Sequence, residues 1–332
     1  MSAFLKRLNE VGSPRIGLGC MNLSHGYGQR VSDAEAIRAL EEAFEMGYRH
    51  FDTATLYGGT ANERLLGSAL ANKRHALLLA SKGGMAMDME RGQRVIDGRP
   101  ATLRRQCEES LARLKTDHLD IYYLHRLDRQ VPIEESVGAL GRLVEEGKLG
   151  AVGLSEISAA TLSRAHAEYP IAAVQSEYSL WTRNPEIALK QACEALGVTL
   201  VAFSPLGRGF LTGTMDTHTT FPQGDMRANM PRFTGDNLVQ NVQALADVKA
   251  LAARQGWTLA QLALAWVCAQ GENVVPIPGS CSTQHMRENL AAENFRLDAD
   301  VLASLRQMMG PEMVAGSRYS DAQQADIDTE EF

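Results

Sequence analysis

A (β/α)8 barrel, the TIM-barrel form of the α/β class, is the fold this sequence predicts, and three observations predict it. Short apolar segments of strand length alternate with longer amphipathic ones, and about eight such units follow one another. The strand segments are near-continuous apolar runs, the pattern of parallel strands covered on both faces. At 332 residues with 45% apolar content, the chain is long enough to bury the core of such a barrel. A doubly wound open sheet is the runner-up. It would place a GxGxxG turn after its first strand, and the glycines of IGLGCMNLSHGYG lack that spacing.

The elements read in order. LKRLNEVGSPRIGL is expected to form a short N-terminal hairpin, with IGLGC as the first barrel strand. The next helix opens on a Ser32/Glu35 capping box, carries Ile37, Leu40 and Phe44 at helical spacing, and stops at Gly47. HFDTA is the second strand, and Thr60 with Glu63 predicts a second capping box before ERLLGSAL. LLLASK ends at Lys82. Pro100 then suits the first turn of the helix LRRQCEESLARL, and DIYYLH ends at His125. A helix around Val137, Leu140 and Val144 stops at Gly147, and AVGLS ends at Ser155. AAVQSEY, VTLVAFSP and VVPIPG complete the series.

Two stretches fall outside these units. Gly213 to Asp236 is rich in turn formers and long for a connection, which points to a functional or mobile loop at the C-terminal face. The tail GSRYSDAQQADIDTEEF is polar and acidic and is expected to be loose or to lie as a flap over a pocket. With no internal repeat and no linker composition, residues 1–332 read as one barrel domain.

Composition excludes several function classes. The formal charge is −7 and no dense Lys/Arg run occurs, so a nucleic-acid partner is not expected. MSAFLKRLNEVG lacks the apolar core of a signal peptide, and no apolar run nears the roughly 20 residues that cross a bilayer. The expectation is a soluble cytoplasmic protein with no membrane partner. The five cysteines are odd in number and form no CxxC pair, and the eight histidines show no HExxH. Neither disulfides nor a metal site is expected.

In a TIM barrel the site lies at the C-terminal ends of the strands. Here the second strand ends with Asp52, with Tyr57 in the loop beyond it. Lys82, His125, Ser155 with Glu156, Gln175 and Ser204 end the strands that follow. Each has an ordinary reading alone: a helix cap or surface acid, a solvated strand end, a rim histidine, a packing tyrosine. Their collection on one rim is what points to chemistry. A phenol with a pKa near about 10 is a poor acid at neutral pH, and an adjacent ammonium lowers that value. The ammonium needs a counter-charge, which Asp52 offers. His125 can orient a substrate oxygen. Together these four suit proton donation to a carbonyl oxygen, and the missing electron pair must come from a cofactor.

GLGCMNLS, FDTATLYG, NERLLG, LLLASK, DIYYLH, GLSE, VQSEYSLWTR, SPLGRGFLTG and PIPGS, in that order, resemble the aldo-keto reductase family over nearly the whole chain. Within the family they resemble most the perakine-reductase-like branch. The resemblance implies a metal-free barrel that reduces aldehydes or ketones, its small-molecule carbonyl substrates, with a nicotinamide cofactor, usually NADPH. It places the catalytic set on Asp52, Tyr57, Lys82 and His125, with Tyr57 as general acid, Lys82 lowering its pKa and His125 holding the carbonyl. It assigns the nicotinamide carboxamide to Ser155, Glu156 and Gln175, and a ring against its face to Phe203. Cofactor contacts also fall on Gly19, Met21 and Asp52. Ser204, Pro205, Leu206 and Arg208 would border the pyrophosphate, and Gly279, Ser280 and Asn289 the adenosine end.

Two positions depart from the family pattern. Glu156 stands where many members have Asn; it can accept from the carboxamide NH2 but cannot donate to its oxygen while ionised. Ser280, Cys281 and Ser282 stand where a Lys or Arg commonly meets the 2′-phosphate, leaving His285 and Arg287 as candidates. NADPH remains the expected cofactor, with NADH or dual use as the alternative. Two other functions compete with the reductase. One is a nicotinamide-binding regulatory subunit, as the potassium-channel β subunits of the family are. The other is an aldolase or isomerase with Lys82 as Schiff-base nucleophile.

Overall fold

The computed structural model describes residues 1–28, 30–88 and 92–332. Its strands are β1 (Leu18–Gly19), β2 (His50–Asp52), β3 (Leu78–Gly83), β4 (Met85–Asp88), β5 (Gln93–Ile96), β6 (Ile121–Leu124), β7 (Val152–Ser155), β8 (Ile171–Glu177), β9 (Thr199–Phe203) and β10 (Val274–Ile277). Eight of them form one parallel sheet in the order β1-β2-β3-β6-β7-β8-β9-β10. The sheet nearly closes, because Gly17 N–H donates to the Pro276 carbonyl at 3.0 Å and Gly19 N–H to that of Pro278 at 3.2 Å. A Cβ on Gly19 would lie 2.8 Å from the Ile277 carbonyl oxygen, so this closure requires glycine. β4 and β5 pair antiparallel as a separate hairpin beside the barrel mouth.

The period of two along each strand decides what fills the barrel. Leu78 and Ala80, Ile121 and Tyr123, Ala173, Val201, Val275 and Ile277 form the inner cluster. Leu79, Tyr122, Leu124, Val174, Leu200 and Val274 face the outer helices. Continuing the inner parity toward the strand ends reaches Lys82, His125, Gln175 and Phe203, and His50 leads likewise to Asp52. The rim residues are therefore delivered by the same alternation that packs the core.

The N-terminal segment corrects one expectation. Instead of a hairpin, Ala3–Glu10 is a helix, capped by Ser2, whose side chain accepts from Leu5 N–H at 3.1 Å. Phe4 and Leu8, one turn apart, are buried in the inner cluster and close the barrel's N-terminal end. The Ser32/Glu35 capping box and the left-handed Gly47 stop are present. The Thr60/Glu63 box is not: Thr60 has φ +78° and makes no cap bond. Glu63 is instead buried, accepting from Ser81 Oγ and Arg113 Nε, both at 2.6 Å. The 213–236 region holds short 3-10 turns at Met226–Asn229 and Pro231–Phe233, anchored by buried Asp225, Met230 and Phe233.

Nor is the tail loose. Arg318 and Tyr319 are buried. Asp328 accepts from Ser158 N–H and Thr161 Oγ1, and Glu330 from Ala159 N–H, at the start of the Ala159–Glu168 helix. These acids occupy the end of the helix where orphan N–H groups favour anions. Among the described residues no helix is long and apolar enough to cross a membrane, and no group of three or more His, Cys, Asp or Glu could hold a metal ion.

His50 carries a testable consequence of this packing. Its ring is fully buried against the edge of Phe4, neither nitrogen has a hydrogen-bond partner among the described residues, and burial pushes its pKa down to about 3. The unfolded chain takes up a proton at an ordinary histidine pKa while the folded chain does not. The stabilisation is complete above pH about 6.5 and is lost as pH falls toward 3, by up to about 1.4 kcal/mol per unit. Denaturant midpoints of wild type and His50→Leu, taken from pH 7 to pH 4, should show a shallower acid slope in the variant. Equal slopes would disprove the assignment.

Candidate active site

The strand ends assemble a buried, hydrogen-bonded centre. Lys82 Nζ bonds to Asp52 Oδ1, donates to the Thr53 carbonyl at 2.8 Å, and lies 3.4 Å from Tyr57 Oη. Gln175 Nε2 donates to the other Asp52 oxygen at 2.8 Å, fixing the carboxylate from the opposite side of the barrel. The Tyr57 ring meets His125 edge-on at 5.8 Å between centroids. Asp52, Tyr57, Lys82 and His125, drawn from two strands, the exit of a third and one loop, are thus brought together.

Their proton affinities follow from burial and neighbours. Burial works against the Lys82 ammonium, but Asp52, Tyr57 and the bonds to them outweigh it and raise its pKa. Lys82 is therefore a cation at neutral pH. Burial pushes Asp52 upward against the pull of Lys82 and Gln175. Burial also raises Tyr57; Lys82 pulls it back only in part, so the net shift is opposite to the one expected from the sequence. His125 is held well below its ordinary value by burial, then by the charges of Arg126, Lys82 and Arg94, and is neutral. A neutral imidazole keeps one N–H to donate.

Above this centre runs a cavity of about 440 Å³. Of the residues expected to touch a cofactor, Gly19, Met21, Asp52, Gln175, Phe203, Ser204, Pro205, Leu206, Arg208, Gly279, Ser280 and Asn289 line it, and so does Tyr57. Ser155 and Glu156 do not. Glu156 is fully buried and accepts from Arg318 Nη2 at 2.6 Å, Ser176 Oγ at 3.0 Å and Glu177 N–H at 2.9 Å. The carboxylate assigned to the carboxamide is thus held by the tail. Arg208 lines the cavity, but its Nη2 donates to Glu177 at 2.6 Å and to Tyr319 Oη at 2.9 Å. Burial raises Glu177, but Arg208, Arg318 and Arg232 outweigh it and keep its pKa below the ordinary value.

The backbone of this face is strained. Glu156, Ser204 and Arg208 are three of the five non-glycine residues with positive φ among the described residues. Such conformations cost about 1–3 kcal/mol each and persist where surrounding structure dictates them. At the far end, His285 and Glu288 join Ser280 and Asn289 in the lining, whereas Arg287 is exposed and outside it. Among the aromatic residues nearby, Tyr27 lines the cavity. Trp181 stacks on Phe210 at 4.1 Å, outside the lining.

Three residues escaped the sequence reading. Arg227 lines the cavity, paired with Asp225 at 2.6 Å. Its only signal was membership of the long loop. Glu288 was hidden in an ordinary helix. His25 packs its ring 5.5 Å from that of Tyr57, and its Nδ1 accepts from Gly58 N–H at 3.2 Å. It ties the loop after β1 to the turn that carries Tyr57; a lone histidine in a glycine-rich loop gave no periodic signal.

The sequence profile of the Aldo/keto reductase family matches residues 15–309. The chain is 42% identical over 310 residues to "Probable aldo-keto reductase 1" of Glycine max, covering 92% of this chain and 88% of that protein. Among solved structures it is similar to the glycerol dehydrogenase AKR11B4 of Gluconobacter oxydans, with a TM-score of 0.82, 28% identity and coverage of 90% of this chain and 92% of the other. It is also similar to an aldo/keto reductase of Klebsiella pneumoniae solved with NADP and acetate, at TM-score 0.70 and 27% identity, covering 93% and 95% of the two chains. Sequence and fold agree: this chain belongs to the aldo-keto reductase family of NAD(P)H-dependent oxidoreductases.

Proposed function

We propose that this chain reduces small aldehydes and ketones to alcohols with NADPH, and that Tyr57 is the general acid. The observation that carries the reading is the Lys82 ammonium lodged between Asp52 and the Tyr57 hydroxyl, 3.4 Å from the latter, behind two residues that line the cavity. NADPH, when bound, supplies the hydride to the carbonyl carbon. Tyr57 gives its proton to the carbonyl oxygen, and Lys82 stabilises the phenolate left behind. Neutral His125 donates a hydrogen bond to the same oxygen and orients it. General acid catalysis of this kind is worth roughly 10²–10⁴-fold.

The cavity suits a long, thin, anionic cofactor. Its lining passes from Tyr57 and Phe203 through Ser204–Leu206 and Arg208 to Ser280 and Asn289. A Cβ on Gly279 would stand 2.5 Å from Asn22 Oδ1 and 2.9 Å from the Gly19 carbonyl, so bare backbone forms part of this wall. Ser155 and Glu156 remain candidates for the carboxamide, with Glu156 acting second-hand through Arg318. NADPH is favoured by the relative solved with NADP. His285 is the basic side chain at the adenosine end of the lining, three residues from Glu288 on the same helix, and this modest complement makes some use of NADH an expected outcome. The protonated, Asp52-paired Lys82 is a poor nucleophile, which weighs against a Schiff-base reaction.

The test is the loss of reduced-nicotinamide absorbance with 4-nitrobenzaldehyde, with NADPH and NADH run in parallel. Turnover with NADPH exceeding NADH is the expected result. Turnover favouring NADH would reassign the cofactor. Tight cofactor binding without turnover across a panel of aldehydes would overturn the reductase and leave the regulatory role.

A further inference from the structure

We propose that the carbonyl compounds this chain prefers carry a carboxylate, and that Arg126 receives it. The inference rests on the reading of Tyr57 and His125 as the proton-donating pair, and it adds a substrate class to it.

Arg126 follows His125 directly at the exit of β6. Its Nη1 donates to the His125 carbonyl at 2.7 Å and lies 3.4 Å from Ser155 Oγ at the exit of β7. The guanidinium is thereby laid across two strand ends on the rim, half-buried, next in the chain to His125 and outside the residues that line the cavity. One nitrogen is spent in this anchoring. Nε and Nη2 have no acceptor, and no carboxylate pairs with Arg126 among the described residues. The neighbouring arginines differ: Arg208 has Glu177, Arg318 has Glu156, and Arg94 and Arg129 have Asp326 and Asp328.

Charge at the reacting centre is therefore unbalanced. Asp52 cancels Lys82, and the Arg126 charge is left over, close enough to act on both Tyr57 and His125. An arginine with its fork partly free, in a half-buried setting, is the side chain best suited to a planar carboxylate. Its position next to His125 requires the carboxylate to lie within a few bonds of the carbonyl, as in a short aldehyde acid.

Steady-state kinetics on matched pairs test this: 4-oxobutanoate against butanal, and 2-carboxybenzaldehyde against benzaldehyde. In wild type, kcat/KM is expected to be at least about 10-fold higher for the charged member, with the advantage shrinking as salt rises from 0.05 to 0.5 M. In Arg126→Met the ratio should fall toward one through a higher KM for the charged member, and Arg126→Lys should restore it in part. Equal wild-type values for the two members overturn the inference. So does a ratio that survives in Arg126→Met while both rates fall, since Arg126 would then act on Tyr57 and His125 alone. The wild-type comparison and its salt dependence decide the matter even if the variants fold poorly. Silence with every aldehyde and both cofactors would overturn the reading of the site itself, and this inference with it.

Discussion

Tyr57→Phe is expected to lower kcat by roughly 10²–10⁴-fold while leaving the affinity for NADPH within about threefold. The substitution removes one oxygen and keeps the ring that packs edge-on to His125. Lys82 retains Asp52 and the Thr53 carbonyl, so its charge stays paired. What disappears is the proposed proton donor, an interaction that would matter chiefly as charge develops on the substrate oxygen. Single-turnover kinetics at saturating substrate, with cofactor affinity read by protein fluorescence, separate the two quantities. Near wild-type turnover would rule out Tyr57 as the acid. A large loss of cofactor affinity would show that its role is structural.

The second large effect concerns the tail. Arg318→Met is expected to cost about 3–5 kcal/mol of stability, because it leaves the Glu156 carboxylate buried without its counter-ion. Glu156 is fully buried, and its partner comes from 162 residues along the chain. Adding Glu156→Gln to Arg318→Met should recover much of the loss, since the orphaned charge is then gone; the neutral side chain can still accept from Ser176 and Glu177 N–H. Guanidinium denaturation of wild type, both single variants and the double variant measures the coupling. A single variant as stable as wild type would mean that solvent reaches Glu156 freely.

The barrel and its centre were legible in the sequence for one shared reason. Inner parity along HFD, LLLASK and DIYYLH carries the strands' core residues and, at their ends, Asp52, Lys82 and His125. Reading the strands therefore meant reading the candidate site. The errors arose where partners are distant or signals short. Phe4 and Leu8 are a single helical repeat, too brief to outweigh the turn-like GSP that follows them. Thr60 and Glu63 have capping-box spacing, but Glu63 is claimed by Ser81 and Arg113 from neighbouring elements. The tail looked solvated because its composition is acidic, yet Asp328 and Glu330 cap a helix and Arg318 neutralises a buried acid. The upward net shift at Tyr57 was also beyond sequence reasoning, since desolvation depends on how tightly the finished site closes.

The helix that closes the N-terminal end of the barrel bears on traffic. With Phe4 and Leu8 seated in the inner cluster, Phe4 against the His50 ring, and Lys82 almost wholly enclosed, the barrel is closed on the N-terminal side of the centre among the described residues. On the proposed reading, a proton spent by Tyr57 is replaced from the side that admits the substrate and releases the alcohol. Reloading and product departure would then share that side of the barrel, and crowding there would slow both together.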